Sequence, residues 1–174
     1  MESSELARFE AVVLPHLDAA YTLARYLMRN EHDAEDVVQE ACLRALKYFE
    51  GFRGAAGESG RAWLLAIVRN TAYTWRRRHV AAGTTEFDEA QHSEAIAEEH
   101  PEAALLRSVA QESLRRALER LPREFREAIV LREMEGLSYK EISDVAGVPV
   151  GTVMSRLYRA RTRLQEALRE EEER

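Results

Sequence analysis

The sequence predicts an all-α protein built as two small helical domains joined by a flexible linker, the second containing a helix-turn-helix. Three observations carry this. Apolar residues recur at three- and four-residue spacing along two separate stretches, and almost nothing alternates as a strand does. Residues 83 to 101 are polar and acidic, with Gly83 and Pro101 at the ends. Near the C-terminus, a short capped helix runs through a Gly/Pro turn into an arginine-rich amphipathic helix.

In the first stretch Leu6, Phe9, Val13, Leu17, Tyr21, Ala24 and Leu27 share a helical face, which Pro15 kinks or restarts. Asp33 is a candidate cap for the next helix, along which Val37, Val38, Ala41, Ala45, Leu46 and Phe49 recur. The segment GFRGAAGESG, residues 51 to 60, holds four glycines and reads as a loop. Helix resumes over residues 63 to 78, and the first domain spans 1 to 82. After the linker, the second domain spans 102 to 174. Leu105, Val109, Leu114, Leu118 and Leu121 suggest one helix. Pro122 opens another, with Phe125, Ala128, Ile129 and Leu131, ending before Gly136.

Ser138 and Glu141 have the spacing of a capping box, with Leu137 and Ile142 as the staple around it. This predicts a helix over 139 to 146, stopped by Gly147 in the left-handed region. Pro149 suits the first turn of the next helix. There Val153, Leu157, Ala160, Leu164 and Leu168 form an apolar stripe, beside a polar stripe of Thr152, Arg156, Arg159 and Arg163 and the neighbouring Ser155. A short helix, a tight turn and a basic amphipathic helix make a helix-turn-helix, which presents its second helix to the major groove. The amides around Val150 to Val153 suit phosphate, and arginine serves either guanine or phosphate.

Charge is unevenly distributed. The net charge is -6, yet residues 61 to 79 hold Arg61, Arg69, Arg76, Arg77 and Arg78 and no acid, while 86 to 102 hold seven acids and no Lys or Arg. Such a sum argues against a nonspecific nucleic-acid coat, but basic charge returns at 156 to 163, and two basic patches flanking an acidic bridge matter more than the sum. Cys42 is a single cysteine, which excludes an internal disulfide framework, and it reads as a small buried residue. The five histidines are scattered, so no metal site is evident and no cofactor is expected. There is no apolar run long enough to span a bilayer and no secretory signal, so a cytoplasmic protein without membrane insertion is expected.

Segments in both predicted domains carry a family resemblance. The stretch from Leu118 to Leu168, LERLPREFREAIVLREMEGLSYKEISDVAGVPVGTVMSRLYRARTRLQEAL, resembles region 4 of extracytoplasmic-function sigma factors. HDAEDVVQEACLRALKYFEGFRG resembles their regions 2.1 and 2.2, and WLLAIVRNTAYTWRRR their regions 2.3 and 2.4. Order and spacing match across about residues 5 to 170. The resemblance implies a non-catalytic subunit that binds core RNA polymerase, recognises promoter DNA at the -35 and -10 elements and helps melt the latter. It also implies control by an anti-sigma factor.

Carried over residue by residue, Asp33, Glu35, Asp36, Gln39 and Glu40 would grip the polymerase clamp. An acid at the start of a helix also opposes the dipole, so Asp33 is open to either role. The glycine-rich loop would capture a flipped base of the -10 strand, with Phe52, Arg53 and Ser59 lining its pocket and Asn70 adjacent. Arg76, Arg77 and Arg78 would hold -10 phosphates beside Arg69. Thr152, Ser155, Arg156, Arg159 and Arg163 would read the -35 element. Trp63 reads as core, whereas Trp75 is open between core and base stacking. Thr74 stands where the family often carries Asp, which bears on the -10 preference. The linker is either a solvated spacer or a nucleic-acid mimic in a basic channel.

Overall fold

A computed structural model describes residues 2–54, 58–81 and 101–174. The described residues fold into helices α1 (Ser3–Val13), α2 (Leu17–Met28), α3 (Glu31–Lys47), α4 (Glu58–Ala81), α5 (Pro101–Glu119), α6 (Arg123–Ile129), α7 (Tyr139–Ala146) and α8 (Val150–Glu172). The expected acidic linker falls almost wholly in 82–100, outside the described residues.

In the first unit Pro15 restarts the helix rather than kinking it. A single 3-10 turn at Leu14–His16 separates α1 from α2, because the ring removes one amide donor from the ladder. The α2–α3 corner is made by Arg29, at φ 61°, followed by Asn30. Asn30, not Asp33, is the N-cap of α3: its side chain accepts from the amides of His32 and Asp33 at 2.8 and 3.3 Å. The corner leaves Asn30 extended, and an Asx oxygen there reaches both amides; Asp33 already lies inside the first turn. Helices α2, α3 and α4 pack around Leu23, Leu27, Val37, Leu64, Leu65 and Val68. Each such side chain contributes about 1.5–3 kcal/mol by leaving water. Helix α4 begins at Glu58, so the last part of the glycine-rich segment, including Gly60, is helical rather than loop.

In the second unit Pro122 precedes α6 instead of occupying its first position. Helix α6 continues as a π-turn over Val130–Met134, closed by Gly136 at φ 67° with the Leu137 amide bonded back to the Leu131 carbonyl at 3.0 Å. The helix-turn-helix forms as its local signals require. The Ser138 side chain accepts from the Glu141 amide at 3.1 Å, and the Glu141 carboxylate accepts from the Ser138 amide at 2.9 Å. Burial alone would raise the Glu141 carboxyl, but the two Ser138 bonds and Arg61 together hold it below the usual range. Gly147 takes φ 68°, and Pro149 is the residue before α8, with extended backbone.

The two units are docked. Helix α4 lies against α7, α2 lies against α6, and the buried apolar residues of both form one continuous cluster. Helix α6 sits between them, which explains why Arg126 and Glu127 are both 1 % exposed beside buried Ala128, Ile129, Val130 and Leu131. Among the described residues, no helix is long and apolar enough to cross a membrane.

Candidate nucleic-acid interface

Helix α8 carries the first surface. Its buried side is Val153, Leu157, Ala160 and Ala167, with Leu164 half-buried. At about 100° per residue, the opposite side is centred on Ser155, Tyr158, Arg159 and Thr162, all exposed. Tyr158 is 74 % exposed and Met154, on the same side, 53 %. This row faces solvent and is open to a ligand. The polar stripe expected from the sequence is displaced from this centre. Thr152 and Arg156 are half-buried on the flank toward α6. Arg163 is exposed, but its guanidinium lies 5.0 Å over the Phe125 ring. On the other flank Arg161 pairs with Glu133 at 2.9 Å.

The N-terminus of α8 has neither a side-chain cap nor an acid in its first turn. Its first amides, including those of Val150 and Gly151, therefore carry the positive end of the helix dipole uncompensated by the chain. Nothing stands within 4 Å of where a Gly151 Cβ would lie, so the fold itself does not require that glycine.

The second surface is α4 and the segment before it. Phe52 is 5 % exposed, stacked with Phe49 at 5.9 Å between centroids and tilted against Trp63 at 4.7 Å. It belongs to the core and offers no free face to a base, because the aromatic cluster with Phe9, Phe49 and Trp63 buries more apolar area than exposure would leave. Gly54 makes this fit possible: a Cβ there would meet the Phe52 ring at 2.7 Å and the Ser59 hydroxyl at 2.9 Å. The glycine's close approach is thus to the chain's own phenylalanine. Arg53 is exposed, with Nη1 donating to the Glu50 carbonyl at 2.9 Å, and Ser59 and Asn70 are exposed.

The arginines of α4 divide. Arg76 is half-buried and donates to the Leu27 carbonyl at 3.0 Å, so it ties α4 to the end of α2 and is not presented as a phosphate contact. Arg77 and Arg78 are exposed; Arg77 donates to Thr74 Oγ1 at 3.4 Å and Arg78 lies 4.0 Å from Glu40. Arg69 faces the second unit, with Nε donating to Glu127 at 2.7 Å. Trp63 packs in the core, and Trp75 stacks on His79 with ring centroids 3.3 Å apart.

The third surface is α3. Glu35, Asp36 and Gln39 are exposed along one side, and Leu43, one turn beyond Gln39, is 68 % exposed. Leu43 lies two positions from both Ala41 and Ala45, so its side chain falls on the opposite side of α3 from the Val37, Ala41 and Ala45 row. Glu40 is half-buried and paired with Arg44 at 2.7 Å, while Asp33 sits half-buried in the first turn. Acids therefore flank one exposed leucine on this face.

The comparisons give the family. Sigma-70 region 2 matches residues 12–81 and Sigma-70 region 4 matches residues 111–164. The chain is 36% identical over 169 residues to the RNA polymerase sigma-H factor of Pseudomonas aeruginosa, covering 92% of this chain and 86% of that protein. Among solved structures it is similar to the sigma factor RpoE in complex with the anti-sigma factor NepR from Bartonella quintana, at TM-score 0.72 and 30% identity, over 90% of this chain and 94% of that one. It is also similar to CnrH in complex with the cytosolic domain of CnrY, at TM-score 0.62 and 28% identity, over 92% and 86%. The chain belongs to the extracytoplasmic-function class of RNA polymerase sigma factors, which act in transcription initiation.

Proposed function

We propose that this sigma factor directs core polymerase to promoters through three separate surfaces. Residues 1 to 82 form the clamp- and -10-binding unit, 83 to 101 the linker and 102 to 174 the -35-binding unit. Glu35, Asp36, Gln39 and Leu43 of α3 contact the polymerase, with Glu40 set at the edge by Arg44. Ser155, Tyr158 and Arg159 of α8 enter the major groove, where Arg159 can grip guanine bidentately and Tyr158 and Met154 can meet thymine methyl groups. Thr152, Arg156 and Arg163 lie at the groove wall and serve phosphates, as do the free amides at Val150 and Gly151. Arg53, Ser59, Asn70, Arg77 and Arg78 contact the -10 strand. Relatives solved with anti-sigma factors support a partner of that kind for this chain.

The observation that carries the reading is the solvent-facing Ser155–Tyr158–Arg159 row on a helix whose N-terminus the chain leaves uncapped. Reconstitution with core polymerase on a promoter library, followed by start-site mapping, tests it. Arg159→Ala should change or abolish the upstream motif. A triple Glu35/Asp36/Gln39→Ala variant should lose polymerase binding with α8 intact. An unchanged motif with Arg159→Ala would overturn the assignment of base reading to that row.

A further inference from the structure

Four arginines lie in the reading half of α8, Arg156, Arg159, Arg161 and Arg163, and they differ in what surrounds them. Arg159 stands exposed in the row with Ser155 and Tyr158. Arg156 is half-buried. Arg163 rests 5.0 Å from the centre of the Phe125 ring, a contact that leaves its charge uncompensated. Among the described residues, Arg161 is the member of this set that ends on a carboxylate: Nη2 donates to Glu133 Oε1 at 2.9 Å. Glu133 stands in the π-turn after α6, 28 positions earlier. The Glu133 bond, reinforced by the Tyr139 hydroxyl against a small opposing effect of burial, holds the Arg161 guanidinium above its ordinary range.

The pair sits beside the reading row. Met154, Tyr158 and Arg161 follow one line along α8, at spacings of four and three. A duplex that covers Met154 and Tyr158 therefore passes next to Arg161. The pair holds little of the fold. Its side chains are 45 % and 55 % exposed, and water screens a pair in that setting while side-chain entropy opposes it. Arg132, the neighbour of Glu133, is engaged elsewhere, donating to the Leu137 carbonyl at 2.8 Å and lying over the Tyr139 ring. What the pair changes is the charge that α8 presents. A carboxylate offers a guanidinium the same kind of anionic oxygen that a phosphate does, so it competes for the same donors.

We propose that Glu133 is a positioning residue that withholds Arg161 from the DNA backbone, so that α8 meets a duplex with one phosphate contact fewer than its arginines could make. This rests on the promoter reading above, in which α8 lies against duplex. Each arginine that neutralises a phosphate releases condensed counterions and steepens the salt dependence of binding by about 0.9, whatever the base sequence. Withholding one lowers the affinity for all DNA alike, and the net charge of -6 acts in the same direction. The affinity that remains draws more on the row that faces bases.

Titration of the full-length chain onto a random-sequence duplex across a salt series, with a thermal melt of each variant, tests this. Glu133→Gln should bind up to about fivefold more tightly at low salt, with a salt slope steeper by about 0.9, and should melt as the wild type does. Combining Glu133→Gln with Arg161→Gln should return affinity and slope to wild-type values, because the pair then leaves as a unit. A gain that survives Arg161→Gln would overturn the restraint, since it would come from lost repulsion at Glu133 alone. A double variant binding clearly more weakly than the wild type would also overturn it, since Arg161 would then already hold a phosphate. Arg159→Ala, titrated alongside, distinguishes the restraint from the promoter reading. Wild-type behaviour of Glu133→Gln with a weakened Arg159→Ala overturns the restraint alone. A tightened Glu133→Gln with an unchanged Arg159→Ala overturns the promoter reading and leaves the restraint standing. Failure of every variant to bind duplex at the lowest salt overturns both.

Discussion

Helices α4 and α8 are both rich in arginine, and they use it in opposite ways. On α4, Arg61, Arg69 and Arg76 turn toward the chain and end on Glu135, Glu127 and Leu27. On α8, Arg159 turns to solvent from the middle of an exposed row. The difference is one of available acceptors. Helix α4 lies between α2 and the second unit, where carbonyls and carboxylates wait within reach. Helix α8 lies at the edge of the molecule, where the far side of the helix meets only water. A cluster of arginine in a sequence is therefore a supply of charge, and the neighbours decide whether that charge binds the fold or a ligand.

The sharpest way to break this contrast is to exchange the two truncations. Arg159→Ala should weaken promoter binding by about 1–3 kcal/mol while changing folding stability by no more than about 0.5 kcal/mol, read by a salt-controlled binding titration and a thermal melt. Arg69→Ala should do the reverse on the fold. Orphaning a carboxylate that stays buried costs about 3–5 kcal/mol, but undocking re-solvates Glu127, so the variant opens before the full penalty falls on either unit. Equal effects of the two truncations on stability would erase the distinction between the helices.

Smaller effects sharpen it. Ser138→Ala removes the cap of α7 and should cost about 1 kcal/mol in a denaturant titration, with -35 binding following and α4 unaffected. Tyr73 gives a pH test. Burial, then the Glu127 carboxylate, push its phenol up from 10.0 to about 12. The docked form holds the proton more tightly than the undocked one, so this contribution is complete below pH 10 and is lost as pH climbs through 12. Docking measured across that window should weaken more steeply in the wild type than in Tyr73→Phe; parallel curves would remove Tyr73 from the contact. Smallest of all, Gly151→Ala should stabilise α8 by a few tenths of a kcal/mol and still weaken DNA binding, if backbone approach is why that position lacks a side chain.

What was legible beforehand was local. The Ser138–Glu141 box, the Gly147 stop and the Val153–Leu157–Ala160 stripe each depend on residues a turn or two apart, and each forms as its spacing predicts. What escaped depends on distant partners. Phe52 sits in a glycine-rich segment that looks open, yet Phe49 and Trp63 supply a core for it. Arg76 looks like one member of a basic run until the Leu27 carbonyl appears beneath it. Glu127 is an ordinary helix acid by composition, and its partners lie 54 and 58 positions upstream. One clue was present. In α6 and its π-turn the apolar residues Phe125, Ala128, Ile129, Val130 and Leu131 exceed a single face, which marks a helix covered on several sides. Any charge on such a helix needs a partner.

That sequence separation has a consequence for the chain as it is made. Helices close their contacts locally and form quickly, so α1 to α4 can assemble before α6 has been synthesised. At about 5–20 residues per second, the 54 positions from Tyr73 to Glu127 occupy the ribosome for roughly 3–10 s. Throughout that interval the nascent chain displays Arg69 and Tyr73 with no carboxylate from α6 to receive them. During synthesis, the first unit's exposure is governed by the rate of translation.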